Sequence, residues 1–166
     1  MATGEMIDLL VRSYQHELLC YARMLLRDPD AAQDAVQHAI IAFARQPSDR
    51  VDNPRAWLYC AVRNDCLGQK RKNARVTYME SLPEDAGDAV PSADCELAAQ
   101  DDRQLIRDAV EKLRDNWKEV VMLKFQEHLS YKEIAAVTGL SVSHVGVILH
   151  DALVELRRNC RKELIS

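Results

Sequence analysis

Residues 130–150 restrict the possible folds of this chain more than any other stretch: Ser-Tyr-Lys-Glu-Ile-Ala-Ala-Val-Thr-Gly-Leu-Ser-Val-Ser-His-Val-Gly-Val-Ile-Leu-His. Ser130 and Glu133 have capping-box spacing, which predicts a short helix starting at Tyr131. Ile134 and Ala135 are expected to face inward, Ala135 being small where two helices would cross closely. Gly139 supplies the left-handed backbone that ends this helix. Leu140 plugs the turn, and Ser141 caps a second helix carrying Val145, Ile148, Leu149 and Ala152 on one face. Cap, small residue, glycine, plug and second cap in register read as a helix-turn-helix, the device that lays a helix in the DNA major groove. A tight helical hairpin with no DNA role fits the same pattern, and at this point both readings stand.

The rest of the chain is patterned the same way. It has 166 residues, enough for one ordinary domain or two small ones. Apolar residues recur at helical spacing and no alternating run of useful length occurs, so the fold class is all-α. A first helix is predicted from about Met6 to Arg27, with Leu9, Leu10, Tyr14, Leu18, Tyr21 and Leu25 as its apolar stripe. Asp28-Pro29 caps and starts a second helix to about Arg45, with Ala32, Val36, Ala39, Ile40 and Phe43 inward. Asn53-Pro54 repeats the device and starts a third, to about Asn73, carrying Trp57, Leu58, Ala61, Val62 and Leu67. Trp57 could stack on an unpaired base, but its spacing with these neighbours favours the core. Residues 76–94 place Pro83, Gly87 and Pro91 among Ser, Asp and Glu, the composition of a solvated linker. Helices at about 95–114 and 117–127 lead into the helix-turn-helix, whose last helix extends to about Leu164. The expected architecture is two small helical domains, 1–75 and 95–166, joined by an acidic flexible linker.

Charge is unevenly distributed. The net value is −4, yet Arg55 to Arg75 holds six basic residues and one acid, whereas Glu80 to Asp102 holds eight acids and no base. A basic patch thus stands beside an acidic segment, and the average conceals a candidate polyanion surface. The five cysteines are scattered without a Cys-x-x-Cys pair. With no signal peptide and no apolar run long enough to span a bilayer, reduced thiols in a cytosol are expected, with no membrane insertion. His16 and Cys20 lie one helical turn apart, which is half of a metal site at most; Cys20 reads better as a small core residue. No phosphate-cradling glycine loop, metal-ligand set or nucleophile–base pair is evident, so neither enzymatic chemistry nor a cofactor is expected.

Two separated segments resemble one family. Asn53-Pro-Arg-Ala-Trp-Leu-Tyr-Cys-Ala-Val-Arg-Asn64, followed by the basic run Lys70–Lys72, resembles the third helical segment of sigma domain two. Asp28-Pro-Asp-Ala-Ala-Gln-Asp-Ala-Val-Gln37 resembles the segment before it, and residues 110–158 resemble sigma domain four. Together they look like a bacterial extracytoplasmic-function sigma factor. The resemblance implies a protein that binds core RNA polymerase, reads two promoter elements and helps to melt promoter DNA. It implies that Arg63, Asn64, Lys70, Arg71 and Lys72 engage the −10 element, where cations neutralise phosphates and an amide can read an exposed base edge. It places Asp34 and Gln37 on the coiled coil of the largest polymerase subunit, and Lys132, Ser141, Ser143, His144 and Val147 at the −35 element. It also implies an anti-sigma protein that clamps between the domains.

The chain departs from the family pattern at three places. His38 stands where an acid usually follows the glutamine, and Ile40 where an aromatic does. In the recognition helix the family usually carries Lys or Arg near Gly146 and Val147; here no Lys or Arg occurs between Lys132 and Arg157. Arginine-to-guanine reading is therefore missing there, Val147 is placed to touch a thymine methyl, and −35 recognition is expected to be weak or unusual. Two other readings remain open on sequence alone: a dimeric helix-turn-helix regulator with a sensing first domain, and a sigma-like protein acting mainly through protein partners.

Overall fold

A computed structural model of the chain describes residues 3–47, 50–80 and 100–165; among them the regular structure is helical, without strands. The chain divides into two compact units, Met1–Pro91 and Ser92–Ser166.

The first unit is a three-helix bundle of α1 (Gly4–Leu26), α2 (Pro29–Ala44) and α3 (Pro54–Glu80), each packed on the other two. Local chemistry sets its corners. Arg27 ends α1 in the left-handed region (φ 56°), its N–H donating to the Arg23 carbonyl at 2.8 Å. The Asp28 carboxylate then accepts the N–H groups of Asp30 (3.0 Å) and Ala31 (3.3 Å), and Pro29 takes the first helical position. Asn53 does the same for α3, its Oδ1 accepting the Ala56 N–H at 3.1 Å. Ala32, Ala35 and Ala39 give α2 a smooth buried stripe against which Leu18, Tyr21, Ala22 and Leu25 of α1 and Leu58, Tyr59, Val62 and Cys66 of α3 pack. The rings of Tyr21 and Tyr59 meet edge to face at 5.4 Å.

Three expectations are corrected here. Leu9 does not join the stripe; it is 66% exposed. The buried face of α3 includes Tyr59 and Cys66, while Trp57 and Ala61 are half-buried; Trp57 stands edge-on to Phe43 at 5.5 Å and is part of the packing. The third helix also passes Asn73 and residue 75 and runs to Glu80, because nothing from Ala74 to Glu80 is a glycine or proline that would stop it. The remainder of the acidic linker, 81–94, and the expected helix start at Cys95 lie outside the described residues.

The second unit holds α4 (Gln100–Glu111), α5 (Asp115–Val121), α6 (Tyr131–Thr138) and α7 (Val142–Ile165), with α7 as the spine on which the other three pack. The buried Asn159 of α7 donates to the Ala109 carbonyl of α4 at 3.3 Å, and Lys112 pairs with Glu163 across the same contact. A single helix over 117–127 was the expectation; instead α5 passes into a π-helical turn, Met122–Gln126. The Glu127 N–H reaches back to the Met122 carbonyl (3.1 Å) and the Leu129 N–H to that of Leu123 (2.9 Å), with His128 left-handed at φ 55°. The wider turn lets Leu123 and Leu129 both enter the core.

Around the turn, the sequence expectation holds closely. The Ser130 hydroxyl accepts the Glu133 N–H at 3.1 Å. Gly139 is left-handed at φ 76°, and its N–H closes on the Ala135 carbonyl at 2.9 Å. The Ser141 hydroxyl accepts the His144 N–H at 3.1 Å. Helices α6 and α7 are bent by 102°, inside the range of helix-turn-helix units. Ile134 and Val137 bury α6, with Ala135 half-buried, and Val145, Ile148, Leu149 and Ala152 bury α7. Among the described residues no single helix is long and apolar enough to cross a membrane.

Two glycines with open space around the missing Cβ give opposite predictions. Gly139→Ala forces a side chain into left-handed backbone and should destabilise the second unit by about 1 kcal/mol. Gly68→Ala, inside α3, should stabilise the first unit by up to about 1 kcal/mol. Chemical denaturation of the full chain, followed by circular dichroism, reads both signs.

Candidate nucleic-acid interface

In the first unit the polymerase candidates and the DNA candidates lie on different helices. Asp34 and Gln37 are exposed on α2, with His38 beside them. His38 Nδ1 lies 3.3 Å from Asp65 Oδ2, and the same oxygen accepts from Gln69 Nε2 at 3.0 Å. The departure at His38 thus supplies a tie from the outer face of α2 to α3, one residue from Asn64.

Cys66 is the last buried residue of α3; no described side chain beyond it is buried. The helix leaves its bundle there and carries Lys70, Arg71, Lys72 and Arg75, all exposed, on several of its faces. Residues seven apart share a helical face, so Arg63 aligns with Lys70 and Asn64 with Arg71 in one stripe. Asn64 is exposed, its Nδ2 lying 3.9 Å from Cys60 Sγ, and Arg63 is half-buried. Arg55, counted in the basic patch on sequence, is instead a strut: its guanidinium lies over the rings of Tyr14 (5.6 Å) and Tyr59 (6.0 Å). His16 and Cys20 do face each other at 3.8 Å, but among the described residues no group of three His, Cys, Asp or Glu could hold a metal.

In the second unit, Lys132 on α6 and Ser141, Ser143, His144 and Val147 at the start of α7 are all exposed around the turn. Ser141 is committed to its cap, whereas Ser143 and His144 stand outward. His150 is exposed and lies against its own neighbour, Nδ1 3.3 Å from Asp151 Oδ1. Sequence reasoning missed Tyr131. Its ring lies under the Lys124 ammonium at 5.2 Å and beside Gly146 of α7, so it ties the π-helical turn to the helix-turn-helix. The signal was available, since an aromatic directly after a cap and an exposed lysine seven residues earlier can meet only if the intervening turn folds back.

A basic rod on one three-helix unit and a helix-turn-helix on a second define a two-part, DNA-directed protein. Comparison with known families agrees: the sigma-70 region 2 model matches residues 10–76, and the sigma-70 region 4 model matches residues 103–156. The RNA polymerase sigma-E factor of Streptomyces avermitilis is 33% identical over 160 residues, covering 95% of this chain and 87% of that protein. The RNA polymerase sigma factor YlaC of Bacillus subtilis is 28% identical, covering 98% of this chain and 96% of that one. In fold the chain is similar to the sigma factor RpoE of Bartonella quintana, solved with the anti-sigma factor NepR: TM-score 0.73, 24% identity, 93% of this chain and 96% of that chain covered. The chain belongs to the extracytoplasmic-function RNA polymerase sigma factors, and its work is transcription initiation.

The cap at the start of α7 is directly testable. Ser141→Ala should cost about 1 kcal/mol of stability in the second unit. Amide hydrogen exchange should speed up at residues 142–145 and stay unchanged in α1–α3.

Proposed function

We propose that this sigma factor divides its labour between the two units. The Arg63, Asn64, Lys70, Arg71 and Lys72 stripe of α3 engages the −10 element, with cations on phosphates and Asn64 on a base edge. Asp34 and Gln37 on α2 face core polymerase. Lys132, Ser141, Ser143, His144 and Val147 form the −35 surface, Ser141 by setting the first turn of α7. The single observation that carries the reading is the course of α3 beyond Cys66: a helix that packs on nothing and bears four exposed cations needs an anionic partner to account for it.

The chain acts as a specificity subunit in the cytosol and performs no chemistry itself; bond formation belongs to the polymerase. Because the first turns of α7 lack Lys and Arg, most of the electrostatic affinity resides in the first unit, and the −35 contact is the weaker. An anti-sigma protein is a natural regulator, since the RpoE sigma factor with the similar fold was solved bound to one.

The test is reconstitution with core polymerase, followed by sequencing of the DNA upstream of each transcript start. A shared pair of upstream elements is expected. If polymerase starts from no promoter with this chain present, the proposal fails and a role confined to protein partners replaces it. In the same system, Asn64→Ala should slow promoter opening about tenfold or more, as loss of one base-reading contact does. Replacing Lys70, Arg71 and Lys72 together by Ala should reduce the slope of log affinity against log salt by about three, one for each phosphate released.

A further inference from the structure

The outward face of α7 is built from unusual material for a solvent-facing helix. Val145, Gly146 and Val147 follow one another in its first two turns, and all three are poor helix formers. Val145 is fully buried, which accounts for it. Gly146 and Val147 have no such reason. A Cβ at Gly146 would meet only Tyr131 Cε2, at an ordinary 3.7 Å, so packing within the protein does not require glycine there. Val147 is 56% exposed at the middle of the outward face, with Ser143 one turn before it and His150 one turn after.

The cations stand to the side. Lys132 is exposed on α6, and Lys124 projects across the Tyr131 ring at 5.2 Å. The face therefore offers branched methyl groups at its centre, a notch beside them and positive charge at its edge. That is an arrangement for a groove floor that is apolar at one point and flanked by phosphates. In the major groove the one apolar group on a base edge is the C5-methyl of thymine.

We infer that the second unit reads its promoter element through a thymine methyl. Val147 packs on the methyl, the absent side chain at Gly146 lets the strand approach α7 closely, and Lys124 and Lys132 bind the flanking phosphates. Lys124 and Tyr131 thereby join the DNA-contacting set, Tyr131 as the residue that positions Lys124. This rests on the reading of α6 and α7 as the −35 surface and adds what that surface selects: an element with a T·A pair opposite Val147.

Deoxyuridine differs from thymidine only in lacking this methyl, so it is the probe. Holoenzyme made from core polymerase and the full chain is measured on a promoter recovered by transcript sequencing, with each thymine of the upstream protected element replaced in turn. At one or two positions the affinity should fall about fourfold, the worth of one apolar carbon removed from water. Val147→Ala should weaken binding to the thymine promoter by a similar factor and should no longer distinguish uracil from thymine. Gly146→Ala should raise the melting temperature of the second unit yet lower promoter affinity. Lys124→Ala should reduce the salt slope by about one while leaving the uracil effect intact. An upstream footprint that persists with no loss at any deoxyuridine position overturns the inference alone. So does an equal loss in Val147→Ala and in the unaltered protein. A missing upstream footprint overturns the −35 reading beneath it as well.

Discussion

Four side-chain oxygens determine where the helices of this chain begin. Asp28, Asn53, Ser130 and Ser141 each accept a backbone N–H from the first turn that follows, and each sits in a short connection. A helix end otherwise exposes unsatisfied donors, so such a cap fixes the point at which the chain can turn. Everything functional is measured from those points. Asn53 sets the register of α3, and with it which face Arg63, Asn64, Lys70 and Arg71 share. Ser130 and Ser141 set the bend of 102° that turns the outer face of α7 away from its own core.

That also explains what the sequence made legible. Caps, the glycine at 139 and the two proline starts are single-residue signals with steric or hydrogen-bonding causes, and each appears in the structure where it was read. Signals spread over many residues were less sharp. The apolar stripe of α1 took in Leu9, because periodicity marks a face without saying how far the neighbouring helices extend to cover it. The end of α3 was placed too early because loss of apolar spacing marks the end of packing, at Cys66, and not the end of the helix. The π-helical turn at Met122–Gln126 had no local signal, since it is selected by where Leu123 and Leu129 must both go.

The same distinction separates the candidate sites. The residues of the α3 stripe were legible because charge and a motif coincided. Arg55 was misplaced in that patch, because a count of charge along the chain ignores the two tyrosine rings that claim its guanidinium. Tyr131 was invisible for the converse reason: it carries no charge and matches no motif, and its role comes from Lys124 and Gly146, which only the folded chain brings to it. The two units also differ in kind. One offers charge with little shape, and the other offers shape with little charge. A duplex is thus gripped mainly by one body and discriminated in part by the other.

The free end of α3 has a further consequence. Arg71 and Arg75 are one helical turn apart, and Lys72 lies close to both, so like charges face each other along a segment with no core to hold it. Self-repulsion works to fray those turns, most strongly in dilute buffer, where few counterions dampen it. A nucleic-acid strand laid along them removes that repulsion as it binds. Promoter DNA is then a structural component of the helix that reads it, straightening its own receptor on arrival.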